Sequence, residues 1–179
     1  MLRFVSKPGV GRRLASTSPR TSFGAGGQPI DRADWLALFV ASDGAPGGLD
    51  PVRLQQGLFL FSRCPGTPTR SKYVFEPGIY GPSSDELDAD LDRLAAGGQC
   101  ELVPVRGASW SLYKPTDAAF DYAGRTLRQA EDEDLLDVAR ELSRLKRYVS
   151  SVGFGELLER VYTEHPEFAV NSVFHAAGR

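Results

Sequence analysis

The chain offers few side chains able to do covalent chemistry. It has two cysteines, Cys64 and Cys100, and two histidines, His165 and His175, and neither histidine stands close to a cysteine in sequence. A cysteine nucleophile needs a base within hydrogen-bond reach and a third group to orient that base. Cys64 with His165 is the least implausible pair, but more than half the chain separates them and no signature flanks either. A free cysteine at the end of a helix is more often a small buried hydrophobe. Structural zinc takes four Cys or His ligands at short spacings, an inventory this sequence lacks, so no metal is expected. Gly44, Gly47 and Gly48 lack the lysine and Ser/Thr that complete a phosphate-cradling loop, and Gly24-Ala-Gly-Gly27 precedes no strand–helix unit. The expectation is a protein without a catalytic site and without a cofactor.

Charge carries more information. Between Ser84 and Ala96 stand Asp85, Glu86, Asp88, Asp90 and Asp92 against one base, Arg93, mostly away from Leu87, Leu91 and Leu94. Such a run reads either as a solvated face or as a surface for a protein partner. Asp85, Asp88 and Asp92 are the candidate contacts on it. Tyr80, in a Gly-Pro turn, and Arg106, at the tip of a hairpin, complete the candidate partner-binding set. Arg63, Arg70 and Lys72 flank a loop that with Arg106 and Tyr73 could touch nucleic acid, although dispersed loop cations are more often plain surface.

The whole chain of 179 residues has a net charge of -2, which conceals an asymmetry. Residues 1–29 hold Arg3, Lys7, Arg12, Arg13 and Arg20 and no acid, leaving 16 bases against 23 acids in the remainder, a charge of -7. An acidic body repels a polyanion on average. The longest apolar run, Trp35 to Ala41, is far too short to span a bilayer. Two cysteines cannot build a disulfide framework, so a reducing, cytoplasmic compartment is expected. Residues 1–29 are rich in Gly, Ser, Thr, Pro and Arg and show no helical or strand period, the composition of a disordered basic tail. A nucleic-acid arm, a transit-type presequence and an inert upstream extension are the readings open to it.

The elements that would position these residues begin at Asp31. Asp31 or Asp34 caps a helix with Trp35, Leu36, Phe39 and Val40 on one face, ending by Ser42. Asp50-Pro51 starts a second, nearly enclosed helix that runs to Ser62. Residues 71–75 read as a strand with Tyr73 and Phe75 on one side, followed by turns at Glu76-Pro77-Gly78 and Gly81-Pro82. Ser83 with Glu86 forms a capping box for a third helix, which Gly97-Gly98 stops. Residues 100–105 and 109–113 form a hairpin with Trp110 in the core, and Pro104 places its strand at an edge. Thr116 caps a helix bearing Ala119, Phe120, Ala123 and Leu127. A longer one over residues 132–150 carries Leu135, Val138, Leu142, Leu145 and Val149, with Arg144, Lys146 and Arg147 at its negative end. A last helix starts near Gly153 with Phe154, Leu157, Leu158, Val161 and Tyr162, and a short piece with Phe168, Val173 and Phe174 follows Pro166.

This order predicts a mainly α protein with a small β-hairpin: a winged-helix core over residues 31–116 and a C-terminal helical layer, residues 117–179, packed on it as one domain. The helix Val52 to Ser62, Tyr73-Val-Phe75, Tyr80-Gly-Pro-Ser83, Leu94-Ala-Ala-Gly-Gly98 and Tyr113-Lys-Pro-Thr116 resemble phage-associated proteins with the SocA-like or Panacea antitoxin domain. Gln56 stands where that family commonly has a lysine. The segment Glu156-Leu-Leu-x-x-Val161-Tyr-x-x-x-Pro166-x-Phe-Ala-x-Asn171-Ser is similar to the related YwgA type. The resemblance spans residues 31–174 and implies an intracellular, non-enzymatic protein of toxin-neutralising or regulatory kind. The expected activity is therefore that of an antitoxin-like or regulatory binding protein acting on a partner protein, such as a toxin. The alternative is a DNA-binding winged-helix transcriptional regulator, which the acids of the third helix disfavour, since each carboxylate near phosphate costs affinity.

Overall fold

The computed structural model describes residues 30–43, 45–69, 72–128 and 133–174. The tail predicted over residues 1–29, with Arg70 and His175, lies outside them. Among the described residues six helices dominate: α1 (Arg32–Ala41), α2 (Pro51–Arg63), α3 (Asp85–Ala96), α4 (Asp117–Arg128), α5 (Glu133–Ser151) and α6 (Phe154–Glu164). Two antiparallel pairs accompany them, β1 (Glu76–Gly78) with β2 (Gly81–Ser83) and β3 (Cys100–Pro104) with β4 (Ser111–Pro115), and a 3-10 turn, Pro166–Phe168, follows α6.

Both acids proposed as caps of α1 act together. The Asp31 carboxylate accepts the N–H groups of Ala33 and Asp34, and Asp34 accepts the N–H of Asp31, so orphan donors are satisfied reciprocally. The expectation of a single apolar face is corrected: every residue from Trp35 to Ala41 is buried. The cause is enclosure, since α3, α4, α5 and β4 pack around α1 while Trp35 and Phe39 reach α2. A helix buried all round shows no amphipathic stripe.

Enclosure leaves the last carbonyls of α1 without water, and Lys146 of α5 takes the place of solvent. Its ammonium donates to Val40 O and Ser42 O at 2.6 Å each, with the residue only 2% exposed. This corrects its expected role at the end of its own helix: the cation sits at the negative end of α1 instead. Burial pulls its pKa down to about 8, with Asp43 opposing the shift.

Helix α2 begins as expected, with Asp50 accepting the N–H of Arg53 and Pro51 at the first position. Leu54 through Ser62 are all buried. Phe39 lies directly over Gly57, where an added Cβ would stand 2.3 Å from the ring, so the crossing of α1 and α2 requires a bare backbone. Phe59 anchors the far side, meeting Phe75, His165 and Phe168 edge-on at 5.3, 4.9 and 4.8 Å. Arg53 reaches in the other direction, donating to Val149 O and Val152 O at the end of α5.

The single strand expected before α3 does not form, and a hairpin that was not expected follows it. Residues 72–75 carry no strand ladder, although Tyr73 is buried and Phe75 is packed on the core. The strands occupy the Pro- and Gly-containing segments that read as turns, in the register Glu76 with Ser83, Pro77 with Pro82 and Gly78 with Gly81. In a two-stranded ribbon each strand has an open edge, so a proline without an N–H is tolerated. Gly81 has φ +93, and a Cβ there would press on the Gln56 amide at 3.0 Å.

The second hairpin stands where expected, with Leu102 opposite Tyr113 and Pro104 at its end opposite Ser111. Leu49, between α1 and α2, bridges to the other edge of β4 through paired backbone bonds with Tyr113 of 3.2 and 2.9 Å. Trp110 is corrected from core to surface: it precedes β4 in the connection and is 44% exposed. Phe120 is corrected likewise, at 50% exposed. The buried face of α4 is Ala119, Ala123 and Thr126, whose small side chains let it approach α1 while the Tyr122 hydroxyl donates to Asp34. Thr116 donates its hydroxyl to Gly98 O at 2.7 Å, and α5 and α6 bury Leu135, Leu142, Leu145, Val149, Leu157, Leu158 and Val161 as their spacing predicts.

Replacing Lys146 with methionine strands two buried carbonyls and is expected to cost about 1–3 kcal/mol at neutral pH. The unfolded lysine titrates at 10.5 and the folded one at about 8, so between those values the unfolded state holds more protons. The native chain should therefore gain stability relative to Lys146→Met as pH rises through that window. Denaturant melts of both proteins from pH 7.5 to 10.5 check it; a constant difference contradicts the buried ammonium.

Candidate functional site

The acidic helix α3 is set in place by side chains of α2. The expected Ser83/Glu86 capping box does not form: Ser84 is the N-cap and makes no side-chain cap bond. Gln55 does that work instead. Its Oε1 accepts the Ser84 N–H at 3.0 Å, while its Nε2 donates to Ser84 O at 3.1 Å and to Asp88 Oδ1 at 2.7 Å. Gln56, buried beside it, donates to Tyr80 O and Pro82 O at 2.9 and 3.2 Å and so fixes the turn before α3.

Two of the five acids are paired with cations of the chain itself, Asp90 buried and Glu86 at the surface. Asp90 is 3% exposed and accepts from Tyr73 Oη at 3.0 Å, Arg32 Nε at 3.3 Å and Arg93 Nη1. Glu86 pairs with Arg32. Burial first, and Asp90 second, push the Tyr73 hydroxyl well above its ordinary pKa. Arg93, the one base of α3, is held on Asp90.

Asp85, Asp88 and Asp92 remain, all exposed. Their spacing of three and four puts them on one face of the helix. Partial desolvation raises the pKa of Asp88, the Gln55 hydrogen bond opposes this, and the charges of Asp85 and Asp92 add to it. Tyr113 of β4 borders the same face, its hydroxyl shifted upward by burial and then by Asp92 and Asp88.

The other two candidates lie apart from these carboxylates in the contacts they make. Arg106 stands exposed in the turn of the β3–β4 hairpin. Tyr80, 47% exposed as its turn suggested, directs its ring to Phe154 and Phe174 at 6.2 and 6.0 Å. Sequence spacing missed this aromatic cluster. The available signal was an aromatic at the first position of α6 and another beyond the last helical stripe. A cleft of about 300 Å³ opens beside it, lined by Gly155, Leu158, Glu159, Tyr162, Thr163 and Phe174. Of the cations weighed as a basic patch, Arg70 lies outside the described residues, and the Arg63 guanidinium lies over Phe59 and Phe168, 4.9 and 5.8 Å from the ring centres.

Cys64 and His165 do not form a nucleophile and base. Cys64 Sγ lies 3.4 Å from Leu60 O and 3.6 Å from Glu141 Oε1, and burial together with that carboxylate pushes the thiol up to about 11. An activated thiol needs the opposite surroundings. His165 packs edge-on against Phe59. Among the described residues no three His, Cys, Asp or Glu side chains gather in a metal-holding arrangement, and no helix is long and apolar enough to cross a membrane. No protein-family model, curated protein or solved structure matches the chain.

Asp90→Ala removes the acceptor shared by Arg32, Arg93 and the Tyr73 hydroxyl, while Arg32 keeps Glu86 and the hydroxyl keeps Arg32 O at 3.2 Å, and is expected to destabilise the fold by about 1–3 kcal/mol, read from chemical denaturation. A loss under about 1 kcal/mol contradicts the hub. For Cys64, two pH units above the ordinary value means about a hundredfold less thiolate near neutral pH. Since a more basic thiolate is also the better nucleophile, iodoacetamide should modify it about tenfold or more slower than a free model thiol, followed by peptide mass mapping.

Proposed function

We propose that the chain is a non-catalytic binding protein, antitoxin-like or regulatory, that engages a basic partner protein through the exposed face of α3. The observation that supports this reading most directly is the separation of the acids. Glu86 and Asp90 are paired with Arg32 and Arg93, whereas Asp85, Asp88 and Asp92 are exposed with no cation of α3 left to offset them. In our reading the fold is a winged helix: α1, the Leu49 segment, α2, α3 and the β3–β4 hairpin follow its order, with Leu49 as the short strand on β4. On that assignment α3 is the element that enters a DNA groove in nucleic-acid-binding relatives of the architecture. Three carboxylates there face phosphates spaced at one charge per about 1.7 Å of duplex, which opposes insertion. A basic protein surface meets the same face favourably. The resemblance to the SocA-like and YwgA-type proteins points to the same class of activity, a toxin being the partner it implies.

The test uses the full chain and, where a reading frame beside its gene encodes a small basic protein, that product, captured by pull-down and titrated calorimetrically. Asp88→Asn with Asp92→Asn should weaken that complex about tenfold or more, chiefly through loss of charge complementarity. The unmodified protein should shift no duplex at physiological salt. A specific duplex bound at that salt, with a footprint altered by the same two substitutions, would replace this reading with the transcriptional regulator.

A further inference from the structure

A second surface has an apolar centre and an acidic rim. Tyr80, Phe154 and Phe174 form a triangle of rings with centroids 5.8 to 6.2 Å apart, and Ile79, Tyr80, Val173 and Phe174 are each about half exposed. The patch is pinned in place. Asn171 Nδ2 donates to Pro77 O at 2.8 Å, Val173 N to Ile79 O at 3.3 Å, and the Ser172 hydroxyl oxygen accepts from Phe174 N at 3.1 Å. The first two bonds tie the segment after α6 to the β1–β2 ribbon and the third braces the segment itself, so the rings are held ready at little further entropic cost.

The rim decides what fits. The 300 Å³ cleft beside Phe174 includes Glu159 in its lining, and Glu156 stands exposed one turn earlier on α6. The one cation of α6, Arg160, is held by Glu164 at 2.9 Å and lies over the Tyr148 ring. A second copy meeting this patch face to face would bring Glu156 and Glu159 against acids like themselves. A basic segment has the complementary charge.

We propose that this cleft docks a basic amphipathic segment of a partner protein. A large apolar side chain of that segment enters between Phe174 and α6, and its Lys or Arg side chains face Glu156 and Glu159. The inference rests on the reading of the chain as a binder of basic proteins, but it uses none of the α3 carboxylates, so the two surfaces fail separately.

The probe is a fluorescein-labelled 16-residue peptide with Leu and Phe at helical spacing and Lys elsewhere, titrated with the full chain by anisotropy. A control peptide carries Glu in place of Lys. The Lys peptide should bind with Kd on the order of 10–100 μM and the Glu peptide at least about tenfold more weakly. Phe174→Ser and Glu159→Lys, both at exposed positions, should each weaken the Lys peptide about fivefold or more with the melting temperature unchanged. Asp88→Asn with Asp92→Asn should leave it unaffected. The proposal is overturned if the two cleft variants bind like the unmodified protein, or if the α3 pair abolishes binding. Equal affinity for both peptides, or none up to about 1 mM, also overturns it. Sedimentation showing a dimer that Phe174→Ser disperses would make a second copy the occupant and overturn it as well.

Discussion

A helix enclosed on every side must have its terminal carbonyls satisfied by protein, and in this molecule that requirement falls on α1. Seven consecutive buried residues leave no face toward water. Unpaired carbonyls at such an end would cost about as much as several ordinary hydrogen bonds contribute. The Lys146 ammonium resolves the problem, and doing so fixes the register of α5 against α1. The small face of α4 and the bare backbone at Gly57 then follow as conditions for the remaining neighbours to close around it.

The acidic run of α3 shows how polar anchors divide one stretch of sequence between structure and surface. Asp90 is buried because Tyr73, Arg32 and Arg93 converge on it, so its charge has partners that offset desolvation. Gln55 holds the first turn through both its amide atoms. These anchors orient the helix so that Asp85, Asp88 and Asp92 turn outward together. The surface available to a partner is thus set by residues that never reach it.

Elements with local signals were legible in the sequence, and elements decided by distant partners were not. Asp31 with Asp34 and Asp50 with Pro51 announce their helices because a cap is satisfied within its own turn. Lys146 and Asp90 gave no such sign, since their partners lie far along the chain. The β1–β2 pair was missed because Pro77, Gly78, Gly81 and Pro82 carry turn chemistry, while what holds the ribbon is Gln56 beneath it. Phe120 and Trp110 read as core on hydrophobicity, yet the buried face of α4 is the small-residue stripe Ala119, Ala123 and Thr126, and Trp110 falls in the connection before β4. Of the candidate site, the three exposed acids and the exposure of Tyr80 follow from spacing and turn chemistry. The ring cluster does not, because it joins three segments that are separate in sequence.

The long cations that finish helices from elsewhere also set an order of events. Arg53 of α2 serves carbonyls of α5 that lie 96 and 99 residues later, and Lys146 of α5 serves carbonyls of α1 that lie 106 and 104 residues earlier. Each end becomes satisfied only when the far partner docks, which raises the contact order and slows the search for the native state. During synthesis α1 and α2 leave the ribosome long before Lys146 exists, so the first half of the chain cannot complete its own core. The ends of α1 and α5 thus acquire their partners only when both halves of the chain are present.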